Sequence, residues 1–254
     1  MTKKAADLVP GDDGWTERLG WAYGLISPIP AERSAALDRQ ALARARTDAA
    51  RTRYYEAWRR STIGLLLTAR GRAAAERTYE EAANRCLPEA LWPRHAPRED
   101  TGTWPGLPFA LLFLEWEARY PQEWTAHAKA WGTKEFLIRD LAKISHDPDV
   151  RAKLIDILDV IVRRPYRCKD REYVRVARAV DGDELRTRLT RAHGSEQPWA
   201  RRHAGYVLWL LDHPETPNTR HVWTTWLARE REREPCDDMA TSCSCTASCP
   251  RSAG

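Results

Sequence analysis

The stretch Asp147-Pro-Asp-Val-Arg-Ala-Lys-Leu-Ile-Asp-Ile-Leu-Asp-Val-Ile-Val162 decides the fold class. It opens with an acid and a proline, continues without glycine, and places Leu154, Ile157, Leu158 and Ile161 three or four residues apart. That spacing puts the apolar side chains on one face of an α-helix running through Val162. The same punctuation recurs on both sides. Segments 107–119, 122–131 and 133–144 precede it, separated by Tyr120-Pro121 and Gly132, with Thr133 as a cap. Segments 171–180, 183–192, 198–211 and 219–234 follow it. A chain built from such segments reads as all-α, either an irregular helical bundle or a short helical solenoid.

The N-terminal third reads the same way. Residues 1–12 form a polar arm, and Asp12 or Asp13 can cap a first helix ending near Ile26. Ser27-Pro-Ile-Pro30 stops that helix, and Pro30 suits the first position of the next. From 31 to 60 there is neither proline nor glycine, and Leu37, Ala41, Leu42, Ala45, Ala49 and Tyr55 offer a narrow apolar stripe. Gly64 and Gly71 are possible breaks, and a further helix is expected over 73–86. Residues 88–108 hold five prolines and two glycines, which no regular element accommodates. The expected organisation is therefore a helical region at 1–87, a Pro/Gly-rich loop at 88–106, a second helical region at 107–234 and a disordered tail at 235–254.

Composition narrows the function classes. Apolar residues make up 43% of the 254 and charged residues 30%, a globular balance. Twelve tryptophans against three phenylalanines mean that indoles fill much of the core. The net charge of +5 is mild for a dedicated nucleic-acid binder, although all but seven of the 41 basic residues are arginine. No apolar run approaches the roughly 18–20 residues of a membrane span. No secretory signal pattern follows Lys3-Lys4. The expected location is the cytoplasm.

Pro148-Asp-Val-Arg151 aligns with Pro198-Trp-Ala-Arg201 at an offset of 50, and Leu154, Ile157, Leu158 and Ile161 then match Ala204, Val207, Leu208 and Leu211. This pattern resembles the second helix of a HEAT-type repeat over residues 120–215. The resemblance implies a concave helical surface that presents itself to another macromolecule.

The tail is compositionally distinct: Cys236-Asp-Asp-Met-Ala-Thr-Ser-Cys-Ser-Cys-Thr-Ala-Ser-Cys249. Its four thiols could hold Zn or Cu(I), yet the C-x6-C-x-C-x3-C spacing lacks any CxxC pair. The residues Cys236, Thr241, Ser242, Cys243, Ser244, Cys245, Thr246, Ser248 and Cys249 resemble the core of a ribosomally made, post-translationally modified peptide. That resemblance implies dehydration or cyclisation by partner enzymes. An unmodified extension with free thiols is the third reading.

A basic run, Arg163, Arg164, Arg167, Lys169 and Arg171, continues beyond to Arg201 and Arg202, with Tyr166 and Trp199 among them. Arginines beside aromatic rings can grip phosphates and stack bases, so these residues form a possible nucleic-acid face. Trp199-Ala-Arg-Arg202 is also similar to a helical-repeat DNA-repair glycosylase of the alkylation-repair type, but no catalytic aspartate can be placed by motif. Acids at 170, 172, 181, 183 and 184 favour an ion-paired solvated face instead. Glu115 and Glu117 are two apart and cannot share a helix face. Cys86 and Cys168 read as structural residues. No HExxH, P-loop or GxSxG motif occurs. The expected role is a non-enzymatic scaffold or adaptor with a protein partner and no resident cofactor. A carrier of a modified tail and a nucleic-acid-binding repeat are the alternatives.

Overall fold

The computed structural model describes residues 14–62, 67–92 and 104–233. Among them every regular element is helical: α1 Trp15–Leu19, α2 Pro30–Thr62, α3 Leu67–Ala83, α4 Leu107–Arg119, α5 Pro121–His127, α6 Trp131–Leu141, α7 Pro148–Val162, α8 Tyr173–Ala179, α9 Asp183–His193, α10 Pro198–Asp212 and α11 Arg220–Arg233. No described helix is long and apolar enough to cross a membrane. The tail residues Cys236, Thr241, Ser242, Cys243, Ser244, Cys245, Thr246, Ser248 and Cys249 lie outside the described residues.

The proline-marked helices begin where the sequence places them. Asp147 caps α7 by accepting hydrogen bonds from the backbone N–H of Asp149 and Val150, both at 2.9 Å. Pro148 and Pro198 are the first residues of α7 and α10, each fifteen residues long. The weaker signals fare differently. Gly132 does not stop a helix; it lies in the first turn of α6, where a missing side chain matters little. Gly71 lies inside α3 with nothing within 4 Å of where a Cβ would stand. The segment expected at 171–180 divides into a 3₁₀ turn, Asp170–Glu172, and α8.

The first helix is shorter than its apolar spacing predicts. It ends at Leu19 and continues as a 3₁₀ helix, Gly20–Ile26. A Cβ on Gly24 would stand 2.8 Å from the Ala36 Cβ and 3.1 Å from the Glu32 carbonyl oxygen. Only glycine lets this segment press so closely onto α2.

The stripe expected on α2 is corrected at every position but Leu37, which is half-buried. Ala36, Gln40, Thr47 and Ala50 are the buried positions, with Tyr54 half-buried, whereas Ala41, Leu42, Ala45, Ala49 and Tyr55 are exposed. α3 runs antiparallel on this inner face: Thr47 Oγ1 donates to Ala82 O at 3.2 Å, and the Tyr54 and Tyr79 rings stack at 5.8 Å. The buried amide of Gln40 donates to Leu87 O. Alanine occurs on every face of α2, so its own periodicity could not select the buried one. The partner helix does.

The segment 88–106 is not a boundary between compact units. The chain divides instead into one unit through Asp212 and a second from His213. Within the first unit, Arg33 on α2 pairs with Glu123 on α5 at 3.1 Å, and Tyr120 donates to Ser27 O at 3.1 Å. These contacts join the two sides of the proline-rich segment. Trp104 lies edge-on to Trp15 at 5.5 Å, and Trp15 stacks on Phe109 at 5.8 Å. In the second unit α11 carries Trp223 and Trp226, stacked at 5.5 Å.

At the centre of the first unit lies α4, buried almost all round from Leu107 to Ala118. It packs against α7 and the 3₁₀ segment; α9 packs on α7 and α10, and α8 on α6 and α10. A helix apolar on all sides belongs in a core. Two carboxylates interrupt that apolar surface.

Candidate functional site

Glu115 and Glu117 leave α4 in different directions, as their spacing requires, and each meets its own cations. Glu115 pairs with Arg119 at 2.8 Å and with Lys153 of α7. Glu117 is fully buried and so is Lys134 of α6; Lys134 Nζ stands 2.9 Å from Glu117 Oε2. The same ammonium donates to Asp170 Oδ1 at 2.6 Å and to the Cys168 carbonyl at 3.2 Å. All three of its protons therefore have acceptors.

Arg164 ties the two carboxylates together, donating to Glu117 Oε2 at 3.0 Å and to Asp170 Oδ2 at 2.8 Å. Asp170 Oδ2 also accepts the backbone N–H of Arg167 at 2.7 Å. Arg167 Nε lies 3.3 Å from Glu117 Oε1, and its Nη2 donates to Thr125. Two acids thus face three cations in the core. Such a cluster persists only with near-complete pairing, because desolvating a lone charge costs several kcal/mol. Beside it Tyr173 is buried, and its hydroxyl has no hydrogen-bond partner among the described residues. Burial next to Glu117 and Asp170 raises the Tyr173 pKa well above its ordinary value.

This cluster fixes the 163–172 connection, which links α7 to α8 and carries most of the basic run. Its cations are nearly all engaged. Arg163 pairs with Asp159 at 2.9 Å, Lys169 with Glu135, and Arg171 with Glu172 at 3.5 Å. Glu172 is also held by Arg139 at 2.9 Å and Arg175 at 3.1 Å, and its hydrogen bond from Arg139 lowers its pKa. The expected nucleic-acid face therefore divides. Arg164 and Arg167 are half-buried in the ion cluster, Arg163 and Lys169 are paired nearby, Arg171 is exposed and shares Glu172 with Arg139 and Arg175, and Arg201 and Arg202 lie exposed on α10.

What the structure does bring together is aromatic. Tyr166, on the fixed connection, is 54% exposed, and Trp199, in the first turn of α10, is 47% exposed. Half-buried His203 lies between them: its ring centroid is 6.5 Å from Tyr166 and 5.8 Å from Trp199. Burial lowers the His203 pKa, so its ring favours the neutral form, and burial raises that of Tyr166. Two large aromatic side chains thus stand at the surface, next to a connection anchored by buried ion pairs.

Lys134 was not singled out from sequence; Glu117 stood only as one of two neighbouring acids and Asp170 as one of several acids beside the basic run. The only local signal was a pair of acids inside an otherwise apolar helix. Among the described residues no group of three or more His, Cys, Asp or Glu side chains is placed to hold a metal. The thiols considered for Zn or Cu(I) lie outside those residues. No protein-family model, curated protein or solved structure matches the chain.

Proposed function

We propose that this chain is a non-enzymatic helical adaptor that docks a partner protein on the Tyr166–His203–Trp199 surface. The observation that carries the reading is the exposure of Tyr166 and Trp199 on either side of one histidine. Tryptophan and tyrosine dominate the energetics of protein interfaces because each buries a large rigid ring on contact. Left in water, that area contributes nothing to stability. The ion cluster adds a second argument. A connection already held by Lys134, Arg164 and Asp170 loses little further freedom on binding, which lowers the entropic cost of association.

The engagement of the neighbouring cations favours a protein over a nucleic acid. Phosphate binding depends on cations free to replace condensed counterions. Arg163, Arg164, Arg167, Lys169 and Arg171 each face a carboxylate already. The equal lengths of α7 and α10 and their shared proline start are consistent with the HEAT-like reading of 120–215.

The test compares the intact protein with Y166A/W199A and with W58A, which removes a tryptophan that is 50% exposed elsewhere. Immobilised protein is challenged with extract of the source cells, and retained proteins are quantified. A partner kept by the wild type and W58A but lost from Y166A/W199A supports the reading. Identical retention by all three contradicts it.

A further inference from the structure

The outer face of α2 carries a charge pattern that the Tyr166–Trp199 surface leaves unused. Arg39, Arg46 and Arg53 recur every seven residues, and all three are exposed. Seven helical residues rise about 10.5 Å and nearly complete two turns, so the three guanidinium groups form one row. Four residues before each arginine stand Ala35, Leu42 and Ala49, also exposed, with Leu42 at 52%.

The contrast within α2 gives the row its meaning. Arg33 pairs with Glu123, Arg44 and Arg51 with Glu89, and Arg60 with Glu56. Arg39, Arg46 and Arg53 have no carboxylate partner among the described residues. Arg33, Arg44 and Arg51 are thus neutralised by other elements of the fold, whereas Arg39, Arg46 and Arg53 form a row of positive charge along another flank of α2, ending at Arg60, the next heptad position, which pairs with Glu56 on the same helix.

We infer that this row docks an acidic α-helix of a partner protein. A helix with a carboxylate every seventh residue repeats its charge at the same interval as Arg39, Arg46 and Arg53, so each guanidinium meets one carboxylate in bidentate geometry. The small side chains of Ala35 and Ala49 allow close approach, and Leu42 supplies the central apolar contact. A nucleic-acid strand matches the row poorly. Its phosphates wind around the duplex axis at about 3.4 Å per step, so they leave a straight row after one contact.

The probes are two synthetic helical peptides of about three heptads with the same Leu/Ala seam, one flanked by Glu and the other by Lys. Binding to the full chain is read by fluorescence anisotropy at low salt. The Glu peptide binds and the Lys peptide does not. R39E/R46E/R53E, with its helicity confirmed by circular dichroism, weakens the Glu peptide by about ten-fold or more and gains affinity for the Lys peptide. R59E, at an exposed arginine outside the row, leaves both unchanged. Equal affinity of the wild type and the triple variant for the Glu peptide overturns the inference. So does a wild type that ignores that peptide while binding a DNA duplex through the same three arginines.

Discussion

Lys134 Nζ stands 2.9 Å from Glu117 Oε2, and neither side chain has any exposure to solvent. The pair joins α4 to α6, and through Asp170 and Arg164 it also holds the 163–172 connection that displays Tyr166. Removing one member of such a pair leaves a charge stranded in the core. E117Q leaves Lys134, Arg164 and Arg167 with Asp170 as their one shared acid and should destabilise the protein by about 3–5 kcal/mol in urea unfolding. A loss below about 1 kcal/mol, the range of exposed pairs, would show that the cluster is hydrated and contributes little. D156N, which removes a half-exposed partner of Arg188, serves as the comparison.

The buried Tyr173 hydroxyl, which has no partner among the described residues, predicts the opposite sign. An unsatisfied buried donor costs about 1–3 kcal/mol. Y173F should therefore leave stability unchanged or raise it. A loss of more than about 1 kcal/mol would mean that the hydroxyl makes a bond of its own.

How much of this was legible in sequence depended on how local the cause was. Pro121, Pro148 and Pro198 place their helix starts because a proline acts on its own backbone and its immediate neighbour. The buried face of α2 was not legible, since Ala41, Ala45 and Ala49 look as core-like as Ala36 and Ala50. The packing of α3, and Gly24 against Ala36, decides between them. The ion cluster was hidden for the same reason. Glu117 meets Arg164 across 47 residues and Lys134 meets Asp170 across 36. In sequence, the acids beside those arginines point to an ion-paired face in solvent, and nothing local shows that Glu117 and Lys134 draw part of it into the core.

The two described cysteines should react differently. Burial pushes the Cys86 thiol up to about 12, whereas Cys168 is exposed. At pH 8, iodoacetamide should label the peptide containing Cys168 and spare Cys86 until the protein is unfolded. Peptide mapping by mass spectrometry reads both. Equal labelling in the native protein would contradict the packing of the Cys86–Leu87 turn against α2.

Stability should fall as the pH drops through the histidine range. Burial lowers the pKa of His146 and of His203, so the unfolded chain binds protons that the folded chain resists. The stabilisation is complete above the unfolded value of about 6.5 and is lost as pH falls from there toward the folded values. H146Q and H203Q should each flatten urea midpoints measured between pH 7.5 and 5. Glu172, lowered by Arg139, gives a separate loss below about 4.3 that E172Q removes.

The distal α2–α3 hairpin should be the first part of the body to open. Residues 51–60 and 70–82 contain no buried side chain. Their amides should exchange with deuterium well before those of α4 and α7. Equal protection would show that something further covers the hairpin.

The docking surface itself is tested most directly by photo-crosslinking from position 199. A benzophenone amino acid replaces Trp199 in the full chain, and a second protein carries it at position 58 as the control. The proposal predicts a discrete adduct with one protein of the source cells from position 199. Excess wild-type chain should compete it away, Y166A/W199A should not, and position 58 should give no such adduct. No discrete adduct at 199, or the same adducts from both positions, would contradict it.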